Sequence, residues 1–87
     1  MQIEYSRRFI KELRRAPRKI QVAFYQRLKI FIDNPNHPLL HLHELEGRLG
    51  GCFSLNITGD WRAIYERLEN GQIVFFIMIG THSRLYK

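Results

Sequence analysis

Residues 59–86 read Gly59-Asp60-Trp61-Arg62-Ala63-Ile64-Tyr65-Glu66-Arg67-Leu68-Glu69-Asn70-Gly71-Gln72-Ile73-Val74-Phe75-Phe76-Ile77-Met78-Ile79-Gly80-Thr81-His82-Ser83-Arg84-Leu85-Tyr86. Asn70-Gly71, the strongest short hairpin signal, sits between two strand-like stretches at about 61–68 and 72–79. Ile73 to Ile79 is wholly apolar, as a buried strand is. Asp60, Arg62, His82 and Tyr86 crowd the far rim of the hairpin. An apolar run needs only packing, so ionisable and aromatic groups concentrated at its end point to a site.

With Asn70 and Gly71 as the two loop residues, Trp61 faces Gly80 and Asp60 faces Thr81. The indole can then cover the bare glycine. Asp60 and His82 reach the same edge of the sheet, one residue apart in register. Strict alternation places them on opposite faces, and a bend at Gly80-Thr81 is the expected way to break that parity.

Working outward, a third strand at about 52–57 joins this hairpin through Thr58-Gly59. Residues 34–51 form the main irregular stretch, where Gly47, Gly50 and Gly51 allow tight bends. Further upstream, Ile20, Phe24, Leu28 and Phe31 recur at helical spacing, and Pro17 fits the first turn of that helix. Phe9 and Leu13 mark a shorter helix that Ser6 can cap. Gln2-Ile3-Glu4-Tyr5 alternates and reads as a short strand. The order is β-α-α-β-β-β. The expected fold is α+β: two N-terminal antiparallel helices packed on a mainly antiparallel four-stranded sheet. Eighty-seven residues make a single domain, 1–87, large enough for one small core.

Charge is uneven along the chain. Residues 1–31 hold nine Lys/Arg and two Glu, while residues 32–87 hold five basic and six acidic residues. The cluster Arg7, Arg8, Lys11, Arg14, Arg15, Arg18 and Lys19 is a footprint for polyanions, of which nucleic acid is the commonest. It is equally the composition of a solvated helix face. Cys52 stands alone, so no internal disulfide is expected, and a reducing cytoplasm suits it. No secretory leader is visible and no segment approaches the ~20 apolar residues of a membrane span.

The C-terminal block Gly80-Thr81-His82-Ser83-Arg84-Leu85-Tyr86, the pair Asp60-Trp61, and His43-Glu44-Leu45-Glu46-Gly47 together resemble the RelE/ParE superfamily of type II toxins. The likeness is to its YafQ-like branch of mRNA interferases and covers essentially the whole chain. It implies a small toxin neutralised by a cognate antitoxin protein. Such a toxin enters the ribosome, meets rRNA, and cuts mRNA in the A site; operator DNA is met only through the antitoxin complex. The resemblance matches His43 and His82 to active-site histidines, Asp60 to the acid, Trp61 to its neighbour, and Tyr86 to an aromatic often Phe. Asn56 stands where that branch usually has a third histidine, and Met78 where it usually has an arginine. Arg62 falls where other RelE relatives place a functional arginine.

RNA cleavage through the 2′-hydroxyl needs a base, an acid for the leaving 5′-oxygen, and a cation for the crowded phosphorane. Histidine suits both proton transfers, with an unperturbed pKa of about 6.5. The expected catalytic set is therefore His82 and His43 as the acid/base pair, Asp60 as orienting carboxylate or substitute base, Arg62 on the phosphate, and Tyr86. Trp61, Asn56 and Arg84 are expected to bind substrate, and Lys11, Arg14, Arg15 and Arg18 to meet RNA backbone. No cofactor and no metal are expected. His37, His41, His43 and His82 lack a close-packed ligand motif, and Pro38 interrupts the run.

Each residue also has a plain structural use. His43 can bond a loop carbonyl, His82 can cap the last turn, and Asp60 suits a turn after Gly59. Arg62 can pair with Glu66, while Trp61 and Tyr65 suit a core. Two other functions stay open: a ParE-like poison of DNA gyrase, which needs no acid/base set, and a weakened toxin that mainly binds its antitoxin.

Overall fold

The apolar stripes read above become buried faces. The computed structural model describes residues 1–86. Strand β1 (Gln2–Tyr5) leads into helix α1 (Arg7–Arg15) and helix α2 (Arg18–Asp33). Then follow a two-residue strand β2 (His43–Glu44), strands β3 (Cys52–Thr58), β4 (Trp61–Leu68) and β5 (Ile73–Thr81), and a single helical turn α3 (His82–Leu85). The sheet order is β1-β5-β4-β3-β2, with β1 parallel to β5 and the other pairs antiparallel. The α+β class holds. The sheet has five strands rather than four, because two residues too few to show any periodicity, His43 and Glu44, pair with Ser54 and Phe53.

Ser6 starts α1 and also ties it to the sheet. Its Oγ accepts from the Phe9 N–H at 2.9 Å and donates to the Ile77 carbonyl at 2.6 Å. One hydroxyl thus satisfies a helix-end donor and a strand-edge acceptor. Glu12 makes a second tie: its Oε1 accepts the Ile79 N–H at 3.1 Å. Pro17 sits at the N-cap of α2, one place before the first turn. Gln21 bridges the two helices by donating to the carbonyls of Arg14 and Ala16.

Both helices bury their stripes on one face of the sheet. Phe9, Ile20, Phe24, Leu28 and Phe31 meet Leu55, Ile57, Ala63, Tyr65, Val74, Phe76 and Ile79 there. Phe76 is the hub, with Tyr5, Phe9, Phe24, Phe31 and Tyr65 all within 6.5 Å of its ring centroid. Aromatic side chains bury roughly 150–250 Å² each, so this cluster dominates the stabilising burial.

The opposite face carries a second, smaller cluster: Ile64, Met78 and Leu85, with Leu45, Leu49, Cys52, Ile77 and Tyr86 against it. Neither α1 nor α2 covers this face, and the candidate site lies on it.

The β4–β5 hairpin departs from its expected register. From Leu68↔Ile73 to Tyr65↔Phe76 the pairing follows the expected count. A bulge then inserts one residue in β5, and the pairs become Ile64↔Met78, Arg62↔Gly80 and Trp61↔Thr81. Ile77 and Met78 both join the second cluster, as consecutive residues can only at a bulge. The four residues Glu69–Gln72 lie outside the strands, and Glu69, Asn70 and Gly71 all take positive φ. Trp61 therefore does not cover Gly80. It packs half-buried against the main core, while Leu85 closes over Gly80.

Candidate active site

The bulge decides what shares a face. Without it, parity from Phe76 would send His82 to the helix side. With it, Gly80 and His82 return to the side of Arg62. The parity change comes from Ile77/Met78, and the Gly80-Thr81 bend is not its source. The turn of α3 begins at His82, whose N–H donates to the Asp60 carbonyl at 2.8 Å.

On this face His43, Arg62, His82 and Tyr86 line one open cavity of about 600 Å³. Leu45 and Leu49 supply its apolar wall, and Glu46 and Arg48 complete the lining. The His82 and Tyr86 rings are 4.5 Å apart at their centroids and tilted by 59°. One helical turn separates them in sequence, which is why they meet. Arg62 is held by its own strand end: Nη1 donates to the carbonyls of Gly59 at 2.9 Å and Trp61 at 3.0 Å. These bonds, rather than Glu66, position the guanidinium.

His43 is exposed at the sheet edge, and its Nδ1 lies 2.9 Å from the His41 carbonyl. A carbonyl only accepts, so neutral His43 carries its proton on Nδ1 and keeps a lone pair on Nε2. His37 acts structurally instead, since its Nδ1 accepts the Leu39 N–H and caps the short turn Pro38–Leu40. Among the described residues, no group of three His, Cys, Asp or Glu is placed to hold a metal ion.

A second cavity of about 530 Å³ adjoins the first and shares His43 and Arg62 with it. Asn56, the cross-strand partner of Arg62, lines this second space.

Several expected residues fall elsewhere. Asp60 is exposed in the β3–β4 turn, and its side chain lines neither cavity. Trp61 points to the opposite face, so the aromatic surfaces at the cavity are Tyr86 and the imidazoles. Arg84 is exposed on α3 and lines neither space. Lys11 and Arg15 share a groove with Arg7 and Arg8, whereas Arg14 edges an apolar groove with Tyr5, Ile10, Leu13 and Tyr25. Arg18 is exposed at the start of α2. Met78 is buried in the second cluster beneath the site and brings no charge to it. Sequence reading missed Arg48 and Glu46. An arginine set between Gly47 and Gly50 was the available signal, and only the fold shows where it leads.

Burial pushes the Cys52 thiol above its ordinary value, and the Glu66 charge adds to this. The thiol beneath the site therefore stays protonated and a poor nucleophile near neutral pH.

A two-helix layer on one face of this sheet, with an open ionisable cavity on the other, defines a RelE-like toxin fold. The chain belongs to the family of ParE toxins of type II toxin–antitoxin systems (parDE), whose family model matches residues 3–86. It is a toxin of the RelE/ParE superfamily and is YafQ-like in structure. YafQ from E. coli superposes with a TM-score of 0.82 at 24% identity, covering 98% of this chain and 97% of that one. In the E. coli DinJ–YafQ toxin–antitoxin complex the match has a TM-score of 0.78 at 24% identity, over 98% and 96% of the two chains. The archaeal RelE–RelB complex from Pyrococcus horikoshii gives 0.73 at 19% identity, over 95% and 96%. At these identities the likeness establishes the fold. No curated protein sequence matches significantly. No helix among the described residues is long and apolar enough to cross a membrane.

Proposed function

We propose that this toxin is a ribosome-dependent endoribonuclease that cleaves mRNA in the A site. The observation that carries the reading is the convergence of His43, Arg62 and His82 on one open cavity. In the reaction, a base takes the proton of the ribose 2′-hydroxyl and the 2′-oxygen attacks the adjacent phosphorus. The 5′-oxygen leaves with a proton from the acid. The products are a 2′,3′-cyclic phosphate and a 5′-hydroxyl. His43, with a lone pair on Nε2, suits the base, and His82, lining the same cavity, suits the acid. Arg62 stabilises charge on the phosphorane from a guanidinium already oriented by two carbonyls. Tyr86 holds the His82 ring and offers a face on which a base can stack. The chemistry needs no cofactor and proceeds without a metal.

The partner is a cognate antitoxin protein, as the named complexes of the structural neighbours suggest. The ribosome and mRNA are the targets, and operator DNA is reached only through the antitoxin complex. The basic groove of Arg7, Arg8, Lys11 and Arg15 suits rRNA, with affinity falling as salt rises. The cytoplasm is the matching compartment.

A ParE-like poison of DNA gyrase is the rival reading, and the family model that matches is that of ParE toxins. Pulse labelling after induction separates the two. The nuclease reading expects protein synthesis to stop while chromosomal DNA stays intact. DNA breaks with translation still running would replace it with the rival.

A further inference from the structure

The second cavity shares His43 and Arg62 with the first, and neither His82 nor Tyr86 lines it. A phosphate held between His43 and Arg62 would have one nucleotide in each cavity. In the second cavity Leu42 supplies an apolar wall, and His41 and His43 offer imidazole faces. Asn56 supplies an amide whose Oδ1 is buried without a hydrogen-bond partner. An unsatisfied buried acceptor is unfavourable, and such groups in native structures call for an explanation. Where it lies this oxygen is closed off from the cavity; a half-turn about the Cβ–Cγ bond exchanges the amide oxygen and nitrogen and brings the oxygen to the cavity, where a base can pair with it.

Planar faces, an apolar wall and one amide describe a site for a nucleobase better than for a phosphate. The cation that a phosphate would want, Arg62, sits at the border with the first cavity. We infer that the space between His41, Leu42, Asn56 and Gly59 is a second nucleotide subsite, in which Asn56 reads the edge of the base next to the cleaved phosphate. This inference rests on the nuclease reading above. It gives sequence preference to a residue outside the acid/base pair. An amide both donates and accepts, whereas a carboxylate only accepts and favours amino donors such as cytosine N4.

The test is sequencing of cut ends from a translating mRNA pool exposed to wild type, Asn56→Asp, and His41→Asn. The last variant removes an imidazole at the cavity and keeps a residue that tolerates the left-handed φ of 42° at that position. Asn56→Asp is expected to shift base preference at one codon position by about fivefold or more, towards cytosine. His41→Asn is expected to weaken preference at that same position. Unchanged preference in both variants would overturn the subsite and leave the nuclease standing. So would an equal loss of cutting at every codon. Should Asn56→Asp fail to fold, His41→Asn decides alone. No wild-type cuts at all would remove the nuclease reading and the subsite together.

Discussion

The His82 N–H donates to the Asp60 carbonyl across 2.8 Å, joining the start of α3 to the β3–β4 turn. Asp60 thus positions His82 through its backbone, while its carboxylate stands in solvent outside both cavities. Asp60→Asn keeps that bond. Its cleavage rate is expected to stay within about tenfold of wild type, against the 10²–10⁴-fold typical of a lost general acid or base. Single-turnover cleavage on programmed ribosomes measures this. A loss as deep as that of a histidine variant would restore the carboxylate to the catalytic set.

Glu12 holds α1 to β5. Its Oε2 also takes an Arg8 Nε bond at 3.2 Å, but that pair is solvent-exposed and worth little. Glu12→Ala leaves the part-buried Ile79 N–H without its partner, and is expected to destabilise by about 1–3 kcal/mol. Arg8→Ala is expected to change stability by less than about 0.5 kcal/mol. Urea unfolding of both variants checks the contrast. Equal effects would mean that the Ile79 bond contributes nothing.

Ser54 is fully buried on β3 opposite Ile64, and its Oγ has no hydrogen-bond partner. Ser54→Ala removes a desolvated hydroxyl without opening a large hole. Stability is expected to stay level or rise by up to about 1 kcal/mol. A calorimetric midpoint several degrees below wild type would show that the hydroxyl is satisfied in solution.

Alkaline pH should unfold the protein through three groups. Burial raises the pKa of Tyr5, Cys52 and Tyr65; the Tyr25 charge adds to the first, and Arg67 partly opposes the last. A raised folded-state pKa means that the unfolded chain ionises first. The stabilising contribution is therefore complete below the ordinary values of 9.0 for Cys and 10.0 for Tyr, and is lost as pH rises through the folded values. Melting temperature from these groups should hold to about pH 9 and then fall, with Tyr65→Phe flattening part of the slope. An unchanged slope in Tyr65→Phe would exclude that phenol as a contributor.

Much of the fold was legible because it rests on local periodicity. The Ile20–Phe24–Leu28–Phe31 stripe, the Ser6 cap and the Asn70-Gly71 turn each became the expected element. The register above the turn was not legible. An extra residue inside Ile73–Ile79 leaves no trace when every side chain there is apolar, yet it sets the face of His82. The pair His43–Glu44 is too short to alternate, so the edge strand that presents His43 was invisible. The fold gathers His43, Arg62, His82 and Tyr86 at one cavity. Asp60 and Trp61 fall away from it: Asp60 sits in the β3–β4 turn, and Trp61, the first residue of β4, alternates with Arg62 and so packs with Ala63 and Tyr65 on the helix side. Arg48 reaches the cavity through a loop path that no local pattern encodes.

If His82 acts at the phosphate of an mRNA held in the ribosome, removing its imidazole must stop cutting there. Primer extension on an mRNA in a reconstituted translation reaction tests it most directly, with wild type beside a folded His82→Ala variant that still binds antitoxin. Wild type is expected to cut at A-site codons, and the variant at least about a hundredfold less. Equal cutting by the two proteins, or no cutting by wild type on active ribosomes, would contradict it.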